Sequence, residues 1–442
     1  MIINNIHIDE CLGDRLDAQQ FHPERLSMIR RLKTITCCKL KEVAKNVKTV
    51  TTCLSNEDVY IGLENVTCGT GEYIPGIKES ISTAAVFKKG DILFSKLRPY
   101  LNKVYLAEFS GKSSTEFYIL EATNILPEYL AIILRSDIII AQTKHLVTGN
   151  TLPRLQTSDI ENLLIPYPSS TFQQKIVDLY TAAQNAKLQK DKEAKELLEN
   201  IDDYLLEALS INPSQEVSSE SVFTKRISEM IGNRLDVSFY KDRFEMVSEI
   251  YPNKRLSSIV DIDPTIRFTG LADDTPISFI PMECIDDTFG EVKEQRETTI
   301  AQTKGYTKFE ENDLLWAKIT PCMQNGKSAI ARNLTNGIGC GSTEYYVIRP
   351  KTDDLIIDYV YLILRHHAVL KAAQNSFGGS AGQQRVSSQY MKSIVIPHPP
   401  IDVQKSIIET VTHKKERAKQ LQNEGSNVLE EAKATIEKMI LG

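Results

Sequence analysis

Residues 87–96 read FKKGDILFSK, and residues 309–318 read FEENDLLWAK. The two stretches share an aromatic start, a polar turn ending in Asp, three apolar residues and a closing Lys. Working outward, the same order of matches continues on both sides. Gly13-Asp14-Arg15-Leu16-Asp17 returns as Gly232-Asn233-Arg234-Leu235-Asp236, and Tyr60 to Glu64 returns as Phe279 to Glu283. Ser114-Thr115-Glu116-Phe117 returns as Ser342-Thr343-Glu344-Tyr345. Ile165-Pro166-Tyr167-Pro168 returns as Ile396-Pro397-His398-Pro399, with Gln173 matching Gln404. The offset grows from 219 (Gly13 to Gly232) to 231 (Ile165 to Ile396), so the second copy carries short insertions. An ordered repeat of this length means two homologous domains in tandem.

Each copy follows one plan. Short apolar runs broken by Gly, Pro, Asn and Asp come first. Asp91 to Ser95 and Phe117 to Leu120 are short, β-branched and aromatic, which predicts strands. A helical segment follows, Pro127 to Lys144 in one copy and Asp358 to Asn375 in the other. A polar loop, one more apolar strand and a Pro-x-Pro stop complete the copy, since proline continues neither a ladder nor a helix. After each stop lies a proline-free, charged stretch rich in Ala, Glu, Lys, Gln and Leu, all good helix formers. Apolar residues recur at three- and four-residue steps: Ile176, Leu179, Ala183 and Ala186, then Leu197, Ile201, Leu205 and Ala208, and in the second stretch Val411, Ala418, Leu421, Val428, Ala432, Ile436 and Met439. A stripe this narrow suits a coiled-coil seam. Roughly 39 residues make a rod of about 60 Å. Both rods weaken in the middle, at Gln189 to Glu196 and around Gly425. The expected fold class is α+β: two tandem mixed α/β domains, each followed by a long helix, with the helices pairing as an antiparallel coiled coil. The segments are 1–170, 171–210, 211–400 and 401–442. Two amphipathic helices, each lying on its own domain, are the alternative.

Composition limits the function. The chain has 442 residues, 41% hydrophobic and 25% charged, which is ordinary globular usage. The longest apolar stretch, Tyr129 to Ala141, is interrupted by Arg135 and Asp137, short of the roughly 18 residues that span a bilayer. No basic segment followed by an apolar core opens the chain, so a cytoplasmic protein without membrane contact is expected. The eight cysteines (Cys11, Cys37, Cys38, Cys53, Cys68, Cys284, Cys322 and Cys340) form no C-x-x-C pair, so no metal is expected. The net charge of −6 opposes a protein that wraps DNA unaided, although a local basic face or a basic partner answers that objection.

Taken together and twice over, several motifs resemble the specificity subunits of type I restriction-modification systems. They are Arg15-Leu16-Asp17 with Arg234-Leu235-Asp236, Gly90 to Ser95 with Arg98-Pro99, and Ser114-Thr115-Glu116-Phe117. The loop Gly149 to Arg154 and the closing Ile165-Pro166-Tyr167-Pro168 with Gln173 complete the set. The resemblance covers nearly the whole chain. It implies two target recognition domains, each reading half of a split double-stranded DNA site, joined by helical spacers. It further implies two DNA methyltransferase subunits docked on the chain, with restriction/translocase subunits joining them. Methyl donor and ATP would belong to those partners, leaving this chain without cofactor or catalytic residue. The second copy departs at Thr320-Pro321 and at the loop Gly378 to Arg385, so the two domains are expected to read different sequences. A protein-interaction scaffold, or the specificity subunit of a related phage-defence system, is the competing expectation.

Hidden chemistry finds little support. Gly378-Gly379-Ser380-Ala381-Gly382 matches the G-x-S-x-G elbow, yet a helix precedes it and a strand follows, the reverse of what that motif needs. Gly71 to Lys78 lacks the Gly-Lys-Ser/Thr run of a phosphate loop. His366 and His367 are adjacent on a helix and face apart. Basic residues are the better candidates for DNA contact: Lys96, Arg98 and Lys103 near Tyr100 and Tyr105, Lys318, Lys327 and Arg332 near Trp316, and Arg154 and Arg385 at equivalent loop positions. Such side chains suit phosphates or the O6/N7 edge of guanine. For any single one, a solvated surface charge is the plain alternative, so the expectation attaches to the group.

Overall fold

The computed structural model describes residues 21–53, 59–76, 83–148, 153–212, 244–378 and 384–442. The Arg-Leu-Asp motifs, Ile77-Lys78, Gly149 to Leu152 and Gly379 to Gly382 with Ser380 lie outside the described residues. The chain packs into two compact units that cut across chain order. One comprises residues 1–190 and 422–442, the other residues 191–421.

In the first unit, strand Ile92–Ser95 is buried along its whole length because it is covered on both faces. Side chains alternate across a strand. Ile92 and Phe94 join Tyr118, Leu120, Tyr129 and Ile133 on the helix side. Leu93 joins Ile61, Phe87, Tyr105 and Ile119 on the other. This explains a continuous apolar run where a half-buried strand would alternate. The strand is central in an antiparallel sheet ordered Ala44–Asn46, Phe117–Ala122, Ile92–Ser95 and Val104–Leu106, with Leu93 opposite Ile119. A second four-stranded sheet, Val50–Thr51, Ala84–Phe87, Gly111–Ser113 and Tyr60–Ile61, lies beneath it, and Cys37–Lys39 pairs with Leu164–Pro166.

The second unit repeats this plan. Leu314–Ala317 is central between Tyr345–Pro350 and Ser328–Ile330, with Val260–Ile262 at the edge. Leu314 and Trp316 face the helices, whereas Leu315 faces Ile280 and Phe309. The second sheets share three strands and differ at both edges. The first copy adds Val50–Thr51 beside Ala84–Phe87, and the second adds Arg296–Thr299 beside Pro276–Ile280.

The turn before each central strand explains its polar spelling. Gly90 and Asn312 adopt φ of 91° and 68°, a left-handed conformation that suits Gly and Asn. Asp91 and Asp313 then accept the amides of Lys88 and Glu310, each at 2.7 Å. Beyond this the copies diverge. Arg349 forks onto Asp313 at 2.7 and 2.8 Å, whereas the charges acting on Asp91 are those of Glu121 and Lys88. Burial, with a contribution from Glu121, pushes the Asp91 carboxyl above its ordinary value. A carboxyl raised in the folded state holds its proton more tightly there. Its stabilising contribution is full below the unfolded value of about 3.9 and is lost as pH rises through the folded value. Asp91→Asn keeps an acceptor for Lys88 and removes this penalty. The variant is expected to raise the melting temperature of the first unit at pH 7 by about 1–3 °C, with the gain shrinking below about pH 4. Thermal melts at the two pH values measure it, and a variant destabilised at both would contradict the assignment.

Each expected helical segment resolves into two helices. Pro127–Leu134 breaks at Arg135-Ser136 before Asp137–Thr143, and Ile357–Arg365 breaks at His366 before His367–Gln374. Ser136 and His366 take extended ψ values of 162° and 130°. A carboxylate from a long helix accepts the freed amide: Glu437 takes that of Asp137 at 3.0 Å, and Asp202 takes that of His367 at 2.9 Å. Acidic groups at helix N-termini are favourable.

The long helices span Ser170–Ala208 and Ile401–Leu441. In the first unit, Ile176, Tyr180 and Ala183 share a core with Leu429, Ala432, Ile436 and Ile440. There Lys187 meets Gly425, and Lys190 pairs with Glu424. In the second unit, Ala194 packs with Ala418 and Leu421, and Ile201 and Leu205 share a core with Ile407 and Val411. Residue numbers rise along one helix as they fall along the other, so the pairing is antiparallel. Gly425 is no weak point. A Cβ there would lie 3.3 Å from the Cα of Lys187, so glycine permits the close approach of the backbones.

Candidate nucleic-acid interface

The central strands end where the basic residues gather. In the first unit the chain leaves Ser95 and continues as a short pairing with residues 153–155. The Lys96 amide donates to Glu116 O at 2.9 Å, Leu155 N to Lys96 O at 3.0 Å, and Arg98 N to Pro153 O at 2.8 Å. This pairing sets Arg154 opposite Leu97. Arg154 forks onto Glu116, Nε to Oε2 at 2.9 Å and Nη2 to Oε1 at 2.7 Å. The fork, with desolvation opposing and Lys96 assisting, holds the Glu116 carboxyl below its ordinary value.

The second unit builds the same corner. Lys318 N donates to Glu344 O at 2.9 Å, Val386 N to Lys318 O at 3.0 Å, and Thr320 N to Gln384 O at 3.0 Å. Arg385 sits opposite Ile319 and forks onto Glu344 through the same atoms at 2.9 and 2.7 Å. The Glu344 carboxyl is likewise held down, chiefly by Arg385. Lys103 and Lys327 flank the corners on the neighbouring strands and donate to Leu63 O at 2.7 Å and Met282 O at 3.3 Å. Lys318 lies over the Tyr346 ring.

The structure therefore brings Lys96, Arg98, Lys103 and Arg154 together in one unit, and Lys318, Lys327 and Arg385 together in the other. Arg332 stands apart. It lies past the far end of strand Ser328–Ile330 from Lys327 and binds Asp358 at 2.7 and 2.6 Å. Arg98 is exposed, with φ of 48°, where the second copy has Thr320. Sequence reasoning quoted Glu116 and Glu344 as motif letters and missed them as partners of the arginines. It also missed Arg135 and Arg365, which follow Leu134 and Leu364 in the repeat. Arg135 binds Thr70 O and Ala131 O, and Arg365 binds Gly326 O and Asp287 O. These two side chains tie surface loops to a helix end.

His22, Glu24 and His145 bring ligand atoms within 4.8 Å of one another. The two imidazoles stack face to face with centroids 3.5 Å apart, so their lone pairs lie in nearly parallel planes and do not converge on one point between the rings. Lys144 also occupies Glu24 at 3.2 Å. The cluster is a poor fit to a tetrahedral ion. Among the described residues, no helix is long and apolar enough to cross a membrane.

This is a class of protein with two like α/β units on paired antiparallel helices, each unit carrying one basic corner at the end of its central strand. The chain belongs to the type I restriction modification DNA specificity domain family, which it matches twice, over residues 34–200 and 252–431. It is 38% identical over 156 residues to the type I restriction enzyme EcoEI specificity subunit of Escherichia coli, covering 35% of this chain and 26% of that protein. It is 35% identical over 190 residues to the EcoAI specificity subunit of Escherichia coli, covering 42% of this chain and 31% of that protein. The chain thus matches between a quarter and a third of the length of these relatives. Among solved structures it resembles a chain from a study of complex assembly and conformational transition of the type I R-M system. That match has a TM-score of 0.52 at 18% identity, covers 92% of this chain and 96% of that one, and establishes likeness of fold.

Proposed function

We propose that the chain is the DNA-sequence specificity subunit of a type I restriction-modification complex. Residues 1–170 and 211–400 would each read one half of a bipartite double-stranded DNA site. The spacers, residues 171–210 and 401–442, would receive two methyltransferase subunits, with restriction/translocase subunits joining the assembly. Catalysis and cofactors would reside in those partners. The observation that carries this reading is the basic corner built twice, from the same backbone pairing and the same Arg–Glu fork, in a chain whose net charge is −6. Copurification with the products of neighbouring genes, followed by mapping of the methylated motif, tests it. A split motif supports the reading, and no DNA modification by the assembled complex overturns it.

The charge balance gives a second expectation. Affinity from phosphate contacts scales with the charges neutralised. With Lys103 and Arg154 in the first unit, and Lys318, Lys327 and Arg385 in the second, already on carboxylates or carbonyls, the isolated chain should bind DNA at least tenfold more weakly than the complex in about 150 mM salt. Fluorescence anisotropy on both samples measures this. Tight, sequence-specific binding by the chain alone would contradict it.

A further inference from the structure

We infer that Arg135 and Arg365 are positioning residues for DNA reading. Each holds in place, directly or through a neighbouring loop, the segment that follows its unit's central strand and reads bases: residues 97–102 in the first unit and 319–326 in the second. The inference rests on the specificity reading above and deepens it.

Each segment runs between two basic residues of its corner, Lys96 and Lys103 in one unit, Lys318 and Lys327 in the other. Its start is fixed in the same way in both, by the Arg98 amide on Pro153 O and the Thr320 amide on Gln384 O. Its end is a left-handed residue in both, Asn102 with φ of 51° and Gly326 with φ of 70°. Between these fixed ends the contents differ. The first reads LRPYLN and the second ITPCMQNG, six residues against eight. Arg98 and Tyr100 are exposed in one, Gln324 and Asn325 in the other. Backbone contacts position a reader and side chains on base edges specify the sequence. A constant frame with changed contents is therefore what two readers of different half-sites require. Arg98 itself has φ of 48°, a left-handed conformation that costs an L residue energy, so the surroundings impose it.

The arginine at the helix end makes the second tie. In the first unit the Arg135 guanidinium donates to Thr70 O, the Gly69 amide of that loop donates to Asn102 O at 2.9 Å, and Asn102 Nδ2 donates back to Arg135 O. Helix end, loop and segment close a triangle. In the second unit Arg365 makes the tie by itself. Its Nη1 donates to Gly326 O, and its Nη2 to Asp287 O at 2.9 Å and Thr288 O at 3.3 Å. Both loops pass the arginine at a glycine, Gly71 and Gly290, with φ of 69° and 68°, and a Cβ at either would press against that arginine. A guanidinium suits this work because its donors form a rigid, planar fork, whereas an ammonium is a compact point charge.

The test uses the chain in complex with its methyltransferase subunits. Wild type, Arg135→Lys, Arg365→Lys, Asn102→Gly, Arg98→Ala and Gln324→Ala are compared by genome-wide methylation motif and by binding to duplexes with single base changes over a salt series. Lysine keeps the charge and loses the fork, and glycine keeps the left-handed turn and loses the amide. Arg135→Lys, Asn102→Gly and Arg98→Ala are expected to lose at least about tenfold discrimination in one and the same half-site. Arg365→Lys and Gln324→Ala should do so in the other. The salt slope of both Lys variants should match wild type, since no positive charge is lost. A tie that only stabilised the fold would weaken binding to cognate and altered duplexes alike and leave base choice intact. That result overturns the inference while leaving the specificity reading standing. So does a loss in both half-sites from one variant, or an unchanged motif in Arg98→Ala and Gln324→Ala. If a Lys variant fails to fold, Asn102→Gly still tests the tie, and unchanged discrimination there overturns it. A wild-type complex with no split motif overturns the reading and the inference together.

Discussion

Removing residues 422–442 is expected to unfold the first unit and leave the second folded. Leu429, Ala432, Ile436 and Ile440 are all 8% exposed or less and sit in the same core as Tyr129, Ile133, Ile138 and Ile176. Burial of each Leu or Ile side chain is worth about 1.5–3 kcal/mol. Three of them contribute roughly 5–9 kcal/mol, comparable to the 5–15 kcal/mol that holds a whole domain folded. The deletion also removes Glu437 from the amide of Asp137. The core of the second unit draws instead on Ile407 and Val411 of the same helix. Hydrogen exchange reads the outcome: protection should vanish from Phe117–Ala122 and Pro127–Leu134 and persist in Tyr345–Pro350 and Ile357–Arg365. Equal protection in both units would contradict the division.

Gln404→Leu should cost the second unit roughly 3–5 kcal/mol. Gln404 is fully buried, and its side chain makes three bonds at 2.9 Å. Its Oε1 accepts the Ile356 amide, and its Nε2 donates to Asp354 O and Pro399 O. Leucine fills the space and leaves a buried donor and two carbonyls unpaired, at about 1–3 kcal/mol for each unsatisfied group. Gln173 does the same work in the first unit, for the amide of Leu126 and the carbonyl of Pro168. Trp316 is the chain's only tryptophan and lies in the core of the second unit, so its fluorescence reports that unit alone. The denaturation midpoint by Trp316 emission should fall sharply in Gln404→Leu and stay put in Gln173→Leu. A fall of equal size in both would contradict separate cores.

Much of the fold was legible because it is written twice. The run Ile92–Ser95 gained its meaning from Leu314–Ala317, and Gln173 from Gln404. The three- and four-residue spacing of Ile201, Leu205, Leu421 and Ile436 reported the helix pairing, since a seam leaves that period in the sequence. Gly425 read as a weak point, because a glycine that admits a neighbouring backbone has the same spelling as one that loosens a helix. The breaks at Arg135-Ser136 and His366 were hidden: the segments are apolar on both sides of the break, and the groups that stabilise it, Glu437 and Asp202, are remote in sequence. Arg332 was grouped with Lys327 by proximity in the chain, and an extended strand then carried it away. The Arg154–Glu116 fork joins residues 38 apart, so nothing local announces it. Only the paired recurrence of Ser-Thr-Glu and of the loop arginine pointed to it.

The central claim is that one chain holds two independent readers. The most direct measurement replaces residues 1–165 with the equivalent region of a relative and maps the methylated motif made by the resulting complex. The account predicts that one half of the split motif changes while the other keeps its bases. A motif altered in both halves, or in neither, would contradict it.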